Sequence, residues 1–179
     1  FSISKYGPQQ GKDAQWFPDA GNGVASDGTP IAHADPNDAE TPDTPANEQD
    51  RVRQLAAQFN AGDIRYYALD NEPSIWHQIH YDIHPVGAHA EEIARKGITY
   101  SRSIKKADPH ARVGGPEGWG WNGYRYSGFD QQYAAKHGLD HAPDREKQTG
   151  GMDYVPWLLT KWKEAGHPVD VFSLHFYPQ

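Results

Sequence analysis

An α/β fold built on a parallel sheet is predicted for this 179-residue chain, and three features predict it. From about residue 48 onward, segments of strand and helix character alternate as strand, helix, strand, helix, strand, the pattern of parallel pairing through helical crossovers. Each strand-like segment runs into residues that make chemical sense only when exposed. These are "DNEP" after the first, "GGPEGWGWNGY" after the second and "HFYP" closing the third. Polar and aromatic groups gather in this way at the C-terminal ends of strands in (β/α)8 barrels and in open α/β sheets. No Gly-rich phosphate loop follows any of the strands, which argues against the nucleotide-binding version.

The elements follow in order. Residues 1–47 are rich in Gly, Pro, Asp and Asn and show no sustained period, so they are expected to form a long irregular region. Phe1, Ile3, Tyr6, Trp16 and Phe17 argue for order rather than a disordered tail. "NEQDRVRQLAAQFN" places Val52, Leu55, Ala56 and Phe59 at helical spacing, with Asn47 as a candidate cap and Gly62 as the stop. "IRYYALD" reads as the first strand. From about Ala88 to Ala107 a helix is predicted, with Ile93, Ala94, Gly97, Ser101 and Ile104 along one face. "ARVGGP" is a short strand ending at Gly114 and Gly115. "YVPWLLTKWKEAG" is a helix with Val155, Leu158, Leu159 and Trp162 inward and Gly166 at its C-terminus, and "VDVFSLHFYP" is the last strand.

Composition excludes several classes. A net charge of −7 leaves no basic footprint for nucleic acid. No apolar run approaches the roughly 20 residues that span a bilayer. The absence of Cys excludes a disulfide framework and thiolate metal sites. Aromatic residues make up 12% of a chain that is only 36% hydrophobic, so many of them must lie near the surface or in clefts.

Glu72 is the leading candidate for chemistry. It stands at a strand end beside Asn71 with Trp76 close by, and a carboxylate held against aromatics can serve as a general acid. The competing reading is a turn or capping Glu, since Asp70, Asn71 and Pro73 are ordinary turn residues. Asn71 offers an amide that could hold a sugar hydroxyl, whereas Asp70 is read as structural. Trp119, Trp121 and Tyr124 occupy a Gly-rich loop where they cannot all be core. Their flat faces suit sugar rings, although a protein partner or plain loop packing would also use them. Glu117 is a spare carboxylate in the same loop. His175 and Tyr177 share one side of a strand, because side chains alternate with period two. His77, His80 and His84 could bind zinc from one helix face, or could be hydrogen-bonded or core histidines. Asp35, Asp38 and Glu40 form an acidic loop of the kind that suits calcium or is simply solvated.

"YALDNEPSIW", "IHP", "ADPHARVGGPEGWGW" and "VDVFSLHFYP", with the amino-terminal "FSISKYGPQ" and "WFPDAGNGV", resemble glycoside hydrolase family 44 over essentially the whole chain. The Asn-Glu-Pro triplet alone is shared across the wider clan; the ordered set is far more specific. The resemblance implies a secreted bacterial endo-β-1,4-glucanase or xyloglucanase, monomeric at full length. It needs no cofactor for chemistry, with calcium as a structural ion assigned to Asp35 and Asp38. By position, Glu72 would be the acid/base at the end of the fourth barrel strand and Asn71 the amide contacting the sugar 2-hydroxyl. His175 and Tyr177 would be the strand-six pair, and Trp119 and Trp121, with Trp76 and Tyr124, the aromatic cleft. Phe176 and Gln179 stand where the family often has Trp and Glu, which would alter a cleft contact.

On that reading residues 1–179 are part of one catalytic (β/α)8 barrel, about strands four to six with their helices, where a typical barrel takes about 250 residues. The nucleophilic carboxylate of a retaining pair would then lie beyond Gln179, and the stretch alone would be inactive. Its unpaired strand edges predict aggregation in isolation. A non-catalytic carbohydrate-binding protein, a zinc-dependent hydrolase, and a clan relative acting on xylan or mannan are the alternatives.

Overall fold

The computed structural model describes residues 1–31, 35–38, 40–59, 63–175 and 177. The expected stop at Gly62 and the departures at Phe176 and Gln179 lie outside the described residues. The chain divides into two units, Phe1–Pro42 and Asp43–Gln179. The division falls a few residues before the boundary expected from composition.

The first unit is ordered with little regular structure, as its aromatics suggested. A single-turn helix, α1 (Ile3–Tyr6), is capped by the Ser2 side chain. Isolated antiparallel bridges join Ser2 to Ala20, Lys12 to Gly21, Gln9 to Ala25 and Val24 to Pro30. Asp19 binds the hydroxyls of Ser2 and Ser4 at 2.6 and 3.0 Å, so the turn is held by side-chain hydrogen bonds in place of a ladder.

The second unit is a three-stranded parallel sheet in the order β1-β2-β3, formed by β1 (Tyr66–Ala68), β2 (Arg112–Trp119) and β3 (Val171–His175). The connections are helical, as the alternation predicted. Between β1 and β2 run the short α3 (Trp76–Ile79) and the long α4 (Ala90–Ala107). Between β2 and β3 run α5 (Gly128–His137), α6 (Pro143–Lys147) and α7 (Tyr154–Glu164). Upstream of β1 lies α2 (Pro45–Gln58), capped by Thr44, whose hydroxyl accepts from the Asn47 amide. Asn47 is therefore inside the first turn, and Pro45 sets the start one turn earlier than predicted. Only Val52 of the expected apolar stripe of α2 is buried; Ala56 and Phe59 are exposed.

The prediction for α4 holds residue by residue: Ile93, Ala94, Gly97, Ser101 and Ile104 are all buried. Gly97 permits the close approach of α7, since a Cβ there would sit 2.9 Å from the indole nitrogen of Trp162. One core cluster joins Ile93 and Ala94 to Val155, Trp157, Leu158 and Trp162. A smaller one joins Val52 and Ile104 to Ala111 and Val113. Leu159, expected inward, is 41% exposed on the far side of α7. The Gly166 prediction is met, with φ +88° just past the helix end, the left-handed geometry glycine supplies.

A buried polar junction that periodicity could not show ties the start of α4 to α5 and α6. Asp144 accepts from the Ala90 amide at 3.0 Å and the Ser127 hydroxyl at 2.6 Å, and its other oxygen lies 2.8 Å from Nδ1 of His89. Asp130 accepts from the Asp144 and Arg145 amides at 2.8 and 3.1 Å. Burial pushes the Asp130 carboxyl upward, with the Asp144 charge adding to it and these amide donors opposing it. The junction fixes the segment that packs beneath the strand ends.

Candidate active site

The site is assembled where β1, β2 and β3 end. The β1–β2 ladder continues past β1: the Leu69 amide donates to Gly114 O at 2.9 Å and the Glu72 amide to Glu117 O at 3.0 Å. Between those two bonds the backbone is forced into unusual geometry. Asp70, Glu72 and Glu117 all have positive φ (47°, 46° and 52°), a region that non-glycine side chains enter at a cost of about 1–3 kcal/mol. Strain of this kind persists only where the surroundings impose it, and here it gathers at three acids around one point. In the same region the β2–β3 register shifts between Gly115 and Gly118, an irregularity that re-aims the intervening residues. Strand β2 therefore runs on to Trp119 instead of ending at Gly114 and Gly115 as predicted.

His175 and Tyr177, expected on one side of the last strand, both reach the Glu72 carboxylate. Glu72 Oε1 lies 2.6 Å from Nδ1 of His175 and accepts the Tyr177 hydroxyl at 3.2 Å, and the Glu72 side chain is 12% exposed. Partial desolvation and the neighbouring Glu72 charge push the Tyr177 phenol above its ordinary range, so it remains a donor. Glu117, held in reserve by the sequence, belongs to the same cluster. Its Oε1 accepts the Ser173 hydroxyl at 2.7 Å and its Oε2 lies 3.5 Å from Nε2 of His175. Ser173 was missed by sequence reasoning, although its position two residues before His175 puts it on the same side of β3.

The other candidates separate into two groups. Trp119 is the register partner of His175 and so stands beside the cluster, 41% exposed. Trp121 (72% exposed) and Tyr124 face outward together, their rings 5.6 Å apart and tilted. All three rings are exposed. Trp76 is not: it is buried, packed edge-on against His84 with Lys96 over its ring, and its indole N–H donates to Asn71 O at 2.9 Å. The expectation that it contacts substrate is corrected. Trp76 braces the backbone of Asn71, and the side chain of Asn71 is left exposed.

Neither metal expectation finds a ligand set. No group of three or more His, Asp or Glu able to hold a metal ion occurs among the described residues. Asp38 pairs with the Lys5 ammonium at 2.6 Å and with the Tyr6 hydroxyl, while Asp35 accepts from Asn37 at 2.9 Å. Both oxygens of Asp38 and Oδ1 of Asp35, the residues expected to hold calcium, thus accept hydrogen bonds from within the chain. The three histidines do not share a helix face, because α3 ends at Ile79 and His80 is its cap. His84 turns to Glu92 at 3.0 Å and to the Val86 carbonyl at 2.5 Å. Burial, with His84 nearby, lowers the pKa of His77.

Comparison with known proteins decides the family. The family model described as glycoside hydrolase family 44 matches residues 1–179. The chain belongs to glycoside hydrolase family 44. It is 31% identical over 122 residues to endoglucanase A of Paenibacillus lautus, covering 65% of this chain and 16% of that protein. It is 32% identical over 122 residues to the β-mannanase/endoglucanase A of Caldicellulosiruptor saccharolyticus, covering 65% of this chain and 8% of that one. Among solved structures, CelM2, a bifunctional glucanase-xylanase from a metagenome library, superposes over 100% of this chain and 36% of its own, with 49% identity and a TM-score of 0.87. A family 44 xyloglucanase from Paenibacillus polymyxa matches 73% of this chain and 25% of its own, with 27% identity and a TM-score of 0.61. The chain therefore spans well under half the length of each of these relatives.

Proposed function

We propose that these residues form the acid/base half of a retaining endo-β-1,4-glucanase site on a (β/α)8 barrel, of which β1, β2 and β3 are the fourth to sixth strands. The observation that carries this is the setting of Glu72. It is a largely buried carboxylate, held in left-handed backbone geometry at the C-terminal edge of a parallel strand, with His175 and Tyr177 both on Oε1. Occupation of Oε1 leaves Oε2 as the oxygen that exchanges a proton. In the first step Oε2–H protonates the glycosidic oxygen as the bond to the leaving sugar breaks. In the second the Glu72 carboxylate takes a proton from the water that attacks the glycosyl-enzyme.

A retaining pair needs a second carboxylate about 5–5.5 Å from the first. We do not assign that role to Glu117, whose oxygens are turned to Ser173 and His175. The nucleophile is read as lying outside residues 1–179. On this reading Asn71 holds the sugar 2-hydroxyl and Trp119, Trp121 and Tyr124 stack against glucose rings, roles supported by the exposure of all four residues. Hydrolysis of an extracellular polysaccharide fits a secreted, monomeric enzyme. The likeness to CelM2 adds xylan to cellulose and xyloglucan as substrates to test. The test is Glu72→Gln in the full-length protein on xyloglucan, carboxymethyl cellulose and xylan. The proposal expects polysaccharide hydrolysis to fall by about 10²–10⁴-fold, the typical contribution of a positioned acid. Full activity in the variant would refute it.

A further inference from the structure

We propose that Trp76 is a positioning residue: its indole N–H fixes the plane of the one peptide group that joins Asn71 to Glu72, and so aims both side chains at the substrate. The proposal rests on the acid/base reading of Glu72 and adds to it what holds that acid in place.

The peptide between Asn71 and Glu72 is gripped at both edges. Its carbonyl, on Asn71, accepts the Trp76 indole N–H at 2.9 Å, and its amide, on Glu72, donates to the Glu117 carbonyl at 3.0 Å. A peptide group is planar, so its carbonyl and amide turn together. Partners on opposite edges therefore fix its rotation, and with it ψ of Asn71 and φ of Glu72. Glu72 is left-handed, with φ 46° and ψ 57°, and a glutamate stays there only where its surroundings impose it.

The other main-chain groups of the two residues are satisfied within the turn. The Asn71 amide donates to Oδ1 of Asp70 at 2.7 Å, and the Glu72 carbonyl accepts from the Ile75 amide at 3.0 Å. Trp76 is what ties this turn to the core. Its ring is 8% exposed and belongs to the main core cluster. His84 meets it edge-on at 5.3 Å and the Lys96 ammonium lies 4.9 Å from its centre. Glu92 holds both of these neighbours, Lys96 at 2.7 Å and His84 at 3.0 Å. A ring clamped in this way is a fixed point for the peptide as well as a filler of space.

The consequence is that one hydrogen bond governs two contacts with substrate. Without the indole N–H, the Asn71 carbonyl loses its anchor and the peptide can turn. The Glu72 carboxylate then moves away from the glycosidic oxygen, and the Asn71 amide from the sugar 2-hydroxyl. Proton donation and the 2-hydroxyl contact both count chiefly in the transition state, so the loss falls on kcat more than on KM.

The experiment uses the full-length protein with Trp76 replaced by β-(3-benzothienyl)alanine, which keeps the shape of Trp with sulfur in place of the N–H. Trp76→Phe, which removes the N–H and part of the ring, is the second variant. Substrates are aryl β-cellobiosides of graded leaving group, and their analogues lacking the 2-hydroxyl on the ring that carries the aryl group. The isostere should fold as the wild type does and keep its KM. Its kcat should fall by about tenfold to a hundredfold on poor leaving groups, and distinctly less on dinitrophenyl cellobioside. Removal of the 2-hydroxyl should cost the isostere less than it costs the wild type, because Asn71 no longer meets that group. Trp76→Phe should show the same pattern with at least as large a loss. A loss by the same factor on every substrate would overturn the proposal, since a merely loosened core has that effect. If Glu72→Gln is inactive on polysaccharide while the isostere matches the wild type throughout, only the positioning role fails. If Glu72→Gln is fully active, the acid/base reading itself fails.

Discussion

Gly87→Ala adds a single methyl group where three segments interleave beneath the strand ends, and its cost can be worked from the packing. A Cβ at Gly87 would lie 2.3 Å from the Gly128 carbonyl oxygen, 2.5 Å from its carbon and 2.7 Å from the Phe129 nitrogen, all of them main chain. Ordinary contact begins at 3.4 Å, so 3.4 Å less 2.3 Å leaves 1.1 Å to be found by moving backbone. Two hydrogen bonds stand in the way: the Gly87 amide to Gln132 at 2.7 Å and the Phe129 amide to Ala88 O at 3.0 Å. Overpacking costs about 1–3 kcal/mol and each lost bond about 1 kcal/mol. Against this stands a gain of about 0.4–1 kcal/mol from the stiffer unfolded chain, so a net loss of about 2–5 kcal/mol is expected.

The control is Gly123→Ala, because a Cβ there meets nothing within 4 Å. The same chemical change should be neutral or stabilising by up to about 1 kcal/mol. Urea unfolding of the full-length protein, followed by tryptophan fluorescence, reads both midpoints. The strain also reaches the site. Gly128 itself sits under Ser74, two residues after Glu72, with a Cβ-to-Ser74 distance of 3.1 Å. Gly87→Ala should therefore lower kcat as well, since misplacement by about 1 Å can cost a hundredfold. Equal midpoints for the two variants would refute the close-approach reasoning.

Leu158→Ala should destabilise by about 2–5 kcal/mol in the same assay, because Leu158 is fully buried in the main core cluster. Trp121→Ala should leave stability within about 0.5 kcal/mol while weakening polysaccharide binding several-fold, measured by affinity electrophoresis in xyloglucan gels. Asp170→Asn probes acid stability. Partial burial opposes ionisation of Asp170, yet the Lys105 ammonium at 2.8 Å and the Val113 amide at 2.9 Å outweigh it and hold the carboxyl below its ordinary 3.8. A depressed folded-state pKa means that this stabilisation is present above pH 3.8 and is lost as pH falls through the folded value. The variant should thus be less stable than the wild type at pH 7, with the gap closing below about pH 3.8, as urea titrations at several pH values would show.

The long helix α4 was legible in the sequence, because a 3.6-residue apolar stripe leaves a direct mark on residue order. That His175 and Tyr177 lie on one side of their strand could be anticipated, but not that both reach Glu72, more than a hundred positions away. Less legible was anything set by contact between distant segments. Trp76 looked like a cleft aromatic beside Glu72, but one turn of α3 carries it into the core. Glu117 looked like a spare acid, because the register shift that aims it at His175 depends on how β2 meets β3. Helices α5 and α6 were not foreseen; they are anchored by the polar contacts of Asp130, Asp144 and Ser127. The histidine cluster failed as a metal site because four residues of helix cannot align positions 77, 80 and 84.

The most direct test of Glu72 as the acid/base is chemical rescue of Glu72→Ala in the full-length protein. On a dinitrophenyl β-cellobioside, whose leaving group needs no acid, the variant should still form its glycosyl-enzyme but turn over slowly. Azide, which attacks without a general base, should restore turnover and give the β-glycosyl azide, while polysaccharide hydrolysis stays abolished. A variant equally inactive on both substrates with no azide product, or one that hydrolyses polysaccharide as the wild type does, would contradict the role assigned to Glu72.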